Sequence, residues 1–455
     1  MVKIVKLSAS YLFSLAIISS CTQKLPKDVE LSLTQASFNR IEIEKVINYY
    51  QSINDSLKLK AVFFLISNMK DHYSYTYKNE KEFNDMFIRI RPLSYWKNKA
   101  ILDSTIALYG NPAATAEKLY DLQNVNSKFL IENIDFAFLA WKKYPWSKNL
   151  KFQEFCEILL PYCSTSEPRS NWRKDFYIRY SILLNKSREA LSAIDACTLI
   201  NNNLKNGFQY NEYFEIFPGG ISVENVIKSK IGTCNEMANL AIYCMRSVGL
   251  PVAYDFTPQW GNVAGGHCWN VLLNKNKENV KFMGAEASPG EQSEFWFQNR
   301  EKAAKVYRIL YSSNQVRDHL DSSKYNNLKS NSDPNFLDVT NEYTKTSDIK
   351  LKMASNPALN IILCVFNNSH WIKISSGRYF EKDSVLFSQM GRNIVYLPVY
   401  LKDENMDSAG YPFVLNKEGL IRELYPNYSK TQTIRITRKY TLFENIRKFA
   451  NDMIG

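Results

Sequence analysis

Three side chains, in the order thiol, imidazole, carboxylate, concentrate the reactive chemistry of this sequence. Cys234 stands in Gly232-Thr233-Cys234, His267 in Gly265-Gly266-His267-Cys268-Trp269, and Glu286 in Gly284-Ala285-Glu286-Ala287. A thiol attacks a carbonyl as the thiolate, and the first turn of a helix lowers its pKa through unpaired N–H groups and the helix dipole. An imidazole takes the thiol proton and later returns it to the leaving amine. A carboxylate beside its far nitrogen fixes the tautomer. The set is what cysteine-dependent acyl transfer requires. Gly232 lets backbone approach a substrate carbonyl closely, and the Cys234 N–H is a natural oxyanion donor. A second donor is unassigned, with Gln209 and backbone groups as candidates.

The elements that must carry these residues follow from local pattern. Thr233 is an N-cap, and Met237, Leu240, Ala241, Cys244, Met245 and Val248 form the apolar stripe of a helix that Gly249 stops. Pro251 to Phe256 is a strand, Cys268 to Leu273 alternates as a second, and Val280 to Ala287 is a third. With Lys275–Glu278 as the hairpin loop, His267 and Glu286 stand directly opposite, Cβ atoms about 5 Å apart. A helix over Phe295–Tyr311 closes the unit. Trp260, in Pro258-Gln259-Trp260-Gly261, either walls the cleft or packs; Asp255 is a fallback acid.

Together these residues resemble the transglutaminase-like superfamily. The resemblance rests on Gly232-Thr233-Cys234, on Arg246-Ser247-Val248-Gly249-Leu250-Pro251, on His267-Cys268-Trp269 and on Glu286, where that family usually has Asp. It covers about residues 219–290 and implies a papain-like α+β core. It also implies a catalytic Cys234–His267–Glu286 triad working through a thioester, with Gly232 and Trp260 as substrate-binding candidates. The family's reactions include glutamine–amine crosslinking and hydrolysis of peptide or glycopeptide amides, so a peptide, protein or glycopeptide substrate is expected, and hydrolysis is favoured. The competing reading is a surface binding or scaffold protein that keeps the core unused.

The frame around the core reads as α+β in three parts. Residues 21–200 are mostly helical, with stripes such as Ile43, Val46, Ile47, Tyr50 and helices over Leu59–Met69, Thr115–Leu122, Ile131–Trp141 and Phe152–Leu160. Residues 201–320 are the transglutaminase-like core. After a Ser/Asn/Lys-rich linker, residues 336–455 alternate as short strands of a β-sandwich-like domain, including Ile361–Phe366, Trp371–Ile374, Asn393–Tyr400 and Thr431–Tyr440.

Residues 1–20 read as a signal peptide: Lys3 and Lys6 precede a short uncharged apolar stretch that cannot span a bilayer. The ending Ile18-Ser19-Ser20-Cys21 resembles the lipobox of bacterial lipoproteins, which implies lipidation at Cys21; ordinary secretory cleavage is the alternative. The expected location is the cell envelope, lipid-anchored to the outer membrane of a Gram-negative bacterium. The formal charge of +12 comes from scattered basic residues without interleaved aromatics, so no nucleic-acid partner is expected. The eight cysteines include no CxxC and no Cys/His cluster with zinc spacing; no metal and no cofactor are implied. Buried free thiols are expected, with a Cys156–Cys163 bridge the alternative. His72, His319 and His370 read as surface or packing residues.

Overall fold

Apolar stripes of period 3.6 build the first layer. The computed structural model describes residues 24–429 apart from 91–93, 187–190, 275–278, 292–300, 313–334, 353–359, 368–369, 382 and 403–404. The expected signal segment, Cys21, the hairpin loop, His319, almost all of the linker and the strand over Thr431–Tyr440 lie outside them. Helices α1 (Lys27–Gln35), α2 (Arg40–Ser52) and α3 (Ser56–Asn68) pack with α7 (Ser127–Lys143) and α9 (Phe152–Ile158); α4 (Glu80–Arg89), α5 (Tyr95–Tyr109), α6 (Asp121–Asn124) and α8 (Pro145–Lys148) complete this part. Ile43, Val46, Ile47 and Tyr50 are all buried on α2, as their spacing predicts. Thr115–Leu122 is not one helix. Glu117–Tyr120 form strand β2, paired antiparallel with β1 (Tyr73–Thr76), and only then does α6 begin.

The helices α10 (Trp172–Asn185), α11 (Ala193–Lys205), α12 (Val223–Ser229) and α13 (Cys234–Ser247) share a core with the central sheet. Trp172 on α10 stacks on Tyr243 of α13 with ring centroids 4.4 Å apart. α13 is buried on nearly all sides, which lets it serve as the axis of the molecule.

The sheet order is β7 (Val280–Phe282), β6 (His267–Leu272), β5 (Val252–Thr257), β8 (Tyr307–Ile309), β9 (Phe336–Asp338), every pair antiparallel. Residues 307–309 are therefore a strand, not the end of a helix. Buried Val306 and Arg308 face one way and Tyr307 and Ile309 the other, the two-residue period of a strand. Alternation also gives β6 two characters. Cys268 and Leu272 join the core under α13, while Trp269 and Val271 enter a cluster on the opposite face with Trp260, Met283 and Val306.

On that opposite side sit the C-terminal strands. One sheet is β10 (Thr346–Lys352), β14 (Ser384–Gly391), β13 (Arg378–Glu381); the other runs β12 (His370–Ser376), β11 (Asn360–Asn367), β15 (Ile394–Lys402), β17 (Phe413–Leu415), β18 (Ile421–Glu423), with β16 (Asn405–Ser408) on β15. Ile349, Val385 and Phe387 from the first meet Leu363, Val365 and Tyr396 from the second in one core. The whole is α+β: a helical N-terminal region, a mixed centre and strand-rich C-terminal sheets.

Candidate active site

Cys234 is the first residue of α13, where its N–H has no intrahelical acceptor. A capping box fixes that start. The Thr233 hydroxyl accepts the Asn235 N–H at 3.2 Å, and Glu236 Oε2 accepts the Thr233 N–H at 2.7 Å and its hydroxyl at 2.6 Å. Glu236 Oε1 accepts the Ile221 N–H at 3.2 Å, so one buried carboxylate holds two backbone segments beside the thiol. Gly232 is required for this. A Cβ there would stand 2.5 Å from Glu236 Cβ, so its missing side chain admits the capping carboxylate, not a substrate. The chain before the helix is held by β4 (Ile231–Gly232), which pairs parallel with β3 (Gln209–Tyr210). Gln209 is occupied as well: its Oε1 accepts the Asn98 amide at 2.8 Å.

His267 opens β6 opposite Thr257, at the end of the sheet over the start of α13. Gly266 sits 2.5 Å, at Cβ distance, from the Pro258 carbonyl, leaving no room for a side chain; the backbone crosses there to deliver the imidazole. The Cys234 thiol is held well below the usual thiol range. Hydrogen bonding from the Cys268 thiol contributes most and burial opposes it; a hydrogen bond and charge from His267 and the Cys268 backbone N–H complete the balance. Cys268 carries the converse effect, its thiol pushed well above the usual range by burial and by Cys234. Of two adjacent thiols, Cys234 is thus the one that ionises. Tyr254, one strand over, donates to Asn235 Oδ1 at 3.0 Å and closes this side of the thiol.

Glu286 reaches the site by another route than register. β6 and β7 pair Asn270 with Phe282 and Leu272 with Val280, one residue off the expected alignment, and β7 ends at Phe282. Glu286 lies in a turn closed by the Met283–Ala287 bridge. Two buried asparagines hold that turn. Asn270 Oδ1 accepts the Gly284 N–H at 3.0 Å while its Nδ2 donates to Ala238 of α13 at 3.0 Å. Asn201 Oδ1 accepts the Ala285 N–H at 2.8 Å and its Nδ2 donates to the Met283 carbonyl at 3.1 Å. Burial raises the Glu286 carboxyl and the charge of His267 pulls it back, so the two groups feel one another. They are not hydrogen-bonded, and among the described residues the buried His267 Nε2 has no hydrogen-bond partner.

The other candidates belong to the scaffold. Trp260 is buried behind the sheet, stacked parallel to Trp269 at 6.4 Å, and does not wall the cleft. Its carbonyl accepts Asn367 Nδ2 at 2.9 Å, which ties β11 to the core. Asp255 is fully buried on the same far face; Arg308 grips it through Nε and a terminal nitrogen at 2.8 Å each, and Tyr343 donates at 2.6 Å. The described cysteines are all free, Cys156 and Cys163 included. His72 is a buried packing residue: it stacks on Tyr311, bonds the Tyr311 carbonyl at 2.8 Å and lies 3.9 Å from the Cys163 sulfur. Among the described residues no His/Cys/Asp/Glu group could hold a metal ion.

A cleft of about 350 Å³ opens beside Thr233 and Asn235, the chain neighbours of Cys234; Cys234, His267 and Glu286 are not among its lining residues. Part of its wall is Thr165-Ser166, from the helical region that sequence reading left without chemistry. That loop is set by Glu167, which accepts the Ser164 and Thr165 N–H groups at 2.8 and 2.7 Å and the Tyr243 hydroxyl. Glu236, Cys268, Asn201, Asn270 and the Thr165–Glu167 loop are the site residues that sequence reading missed. The flanking Cys268 was in plain view inside His267-Cys268-Trp269, and Glu236 stood at capping-box spacing three residues after Thr233; the others act across long sequence separations.

With this geometry in hand, comparison with known families is informative. Residues 183–282 match the model of the transglutaminase-like superfamily, so this stretch is a transglutaminase-like domain. Such a domain suggests cysteine-based catalysis. The matched stretch includes Cys234 and His267 and ends before Glu286. Comparisons with curated proteins and with solved structures find no match.

Proposed function

We propose that this protein is a cysteine acyl-transfer enzyme that hydrolyses peptide or amide bonds through a thioester on Cys234. One observation carries the reading: a thiol at the N-terminus of a buried helix, held well below the usual thiol range with His267 beside it, while its neighbour Cys268 is pushed the other way. Matched acidity of this kind is what a nucleophile needs and a packing thiol does not.

The steps follow from those groups. The Cys234 thiolate attacks the substrate carbonyl carbon, and the oxyanion is received by the Cys234 N–H at the helix start. His267, holding the thiol proton, gives it to the leaving amine as the C–N bond breaks. Water then attacks the thioester; His267 takes its proton, the C–S bond breaks, and a carboxylic acid and free thiolate result. Glu286 favours the charged imidazole in both halves. The expected setting is export and lipid anchoring through Cys21 at the outer membrane of a Gram-negative bacterium, with peptide, protein or glycopeptide as substrate.

The test is release of amine from a panel of peptide amides and glycopeptides by the purified mature protein. Activity should fall at least about a thousandfold in Cys234→Ala and in His267→Ala, as for nucleophile and base removal generally. Hydrolysis undiminished in Cys234→Ala would end the proposal. A binding or scaffold role is the second reading, favoured by the lack, among the described residues, of a Glu286–His267 hydrogen bond or any partner for His267 Nε2. It predicts no turnover of any amide and binding to envelope glycopeptides that Cys234→Ala leaves intact.

A further inference from the structure

Two thiols meet at the start of α13, and the acyl-transfer steps use only one of them. Cys234 is half-buried and Cys268 is buried. The packing of β6 on α13 sets the pair. Asn270 Nδ2 reaches the Ala238 carbonyl at 3.0 Å. Cys268 lies two residues before Asn270, on the same face of the strand and about 6.7 Å back. Cys234 lies four residues before Ala238, one helical turn and about 6 Å back. The two steps match, and the Cys268 thiol and N–H come into hydrogen-bonding contact with the Cys234 sulfur. The other described cysteines face elsewhere: Cys163 meets His72, Cys197 meets Met245 and Cys244 meets Tyr180. Cys156 and Cys364 are buried in separate hydrophobic clusters.

We propose that Cys234 and Cys268 are a reversible oxidative modification site, in which a hydroperoxide oxidises Cys234 and Cys268 then closes on it as an intramolecular disulfide. The inference goes beyond acyl transfer, since it needs only the paired sulfurs and a nucleophilic thiolate. The Cys234 thiolate attacks the terminal oxygen of the peroxide. An S–O bond forms, the O–O bond breaks, and the departing alkoxide or hydroxide takes the proton held by His267. Cys234 is then a neutral sulfenic acid. Burial and, after it, the Cys234 charge keep the Cys268 thiol protonated; oxidation removes the second of these. The Cys268 sulfur attacks the sulfenic sulfur, an S–S bond forms, the S–O bond breaks, and hydroxide leaves with the Cys268 proton as water. The two thiols together lose two electrons, and the peroxide gains them. The disulfide takes the thiolate out of acyl transfer and keeps its sulfur from the irreversible sulfinic and sulfonic acids. The expected exported setting is one in which disulfides persist.

The experiment exposes the reduced, full mature chain to hydrogen peroxide, blocks the remaining thiols with iodoacetamide in denaturant, and maps the peptides by mass. The expected product is a linked pair of peptides carrying Cys234 and Cys268. Dithiothreitol should dissolve the link and restore alkylation of Cys234. In Cys268→Ala and Cys268→Ser, Cys234 should instead accumulate sulfinic and sulfonic acids at least about fivefold faster than in wild type. In Cys234→Ala, Cys268 should stay reduced. The serine variant keeps the size and a hydrogen-bonding group while removing the sulfur, and the wild-type map decides the matter even where a variant fails to fold. Three results overturn the proposal: overoxidation of Cys234 as fast in wild type as in the Cys268 variants, a link from Cys234 to a different cysteine, or no reaction of peroxide at Cys234. A chain that forms this disulfide yet releases no amine from any peptide amide keeps the modification site and loses the acyl-transfer reading.

Discussion

At the scale of single residues, Cys234 owes its character to contacts rather than to its type. Cys244 lies in the same helix, and burial pushes its thiol up to about 12. The difference is position: Cys234 meets unpaired helix N–H groups, Cys268 and His267, whereas Cys244 meets the core. Removing the Cys268 thiol should therefore raise the Cys234 pKa. In Cys268→Ala the pH midpoint of Cys234 alkylation should move up by at least about half a unit; an unmoved midpoint would show that Cys268 is a bystander. Cys234 and His267 were legible in sequence because a helix start and a strand start are local events. Glu286 was legible only as a residue type. Its placement depends on a turn clamped from α11 and β6, and the one-residue difference in register shows how weakly a hairpin fixes the chain beyond its second strand.

At the scale of elements, the site depends on how α13, β6 and the 283–287 turn are tied together. Asn270 bridges α13 to the turn, and Asn201 bridges α11 to it. Asn201→Ala strands the Ala285 N–H inside the protein, while the Met283 carbonyl keeps the Glu286 and Ala287 N–H groups. It should cost about 1–3 kcal/mol in urea unfolding. Any amidase activity found should fall further than Gln substitution at Glu286 lowers it, since the whole turn shifts; equal effects would restrict the role of Asn201 to stability. Behind the sheet, Asp255 and Arg308 are a buried pair fastening β5 to β8. Arg308→Met leaves the Asp255 charge unpaired and should destabilise by about 3–5 kcal/mol, while Cys234 labelling in the folded fraction stays normal. If labelling kinetics change with stability, Asp255 has a role at the site after all. The sequence did reveal the α13 stripe, β5, β6 and most helices, where one periodicity dominates. It misled at Thr115–Leu122 and at 307–309, where short strands take their identity from partners distant in the chain.

At the scale of the molecule, the helical region and the core are not independent layers. α10 and α11 lie in one hydrophobic core with α13, and the Ser164–Glu167 loop walls the cleft. Glu167 is the pin of that loop. Arg169 and hydrogen bonds from Ser164, Thr165 and Tyr243 outweigh its burial and hold its carboxyl below the usual range. Its folded pKa is thus lower than its unfolded one. The stability it contributes is present above the unfolded value, about 4.3, and is lost as pH falls through the folded value. Glu167→Gln should lower stability at neutral pH and flatten its decline with acid. Urea titrations between about pH 7 and pH 3 measure this; parallel wild-type and variant curves would exclude Glu167 as the sensor. The three-part α+β division was visible from periodicity. The sharing of one core across it was not, because contacts such as Trp172–Tyr243 leave no local trace.

All of this converges on the ionisation of one sulfur. The most direct measurement is the rate of iodoacetamide alkylation at Cys234 as a function of pH, followed by peptide mass mapping, in wild type and His267→Ala. The account predicts that Cys234 is labelled ahead of the other cysteines, that its rate midpoint lies well below about 8.5, and that the His267 substitution raises the midpoint. A Cys234 that titrates as an ordinary thiol, or whose midpoint His267→Ala leaves in place, would contradict it.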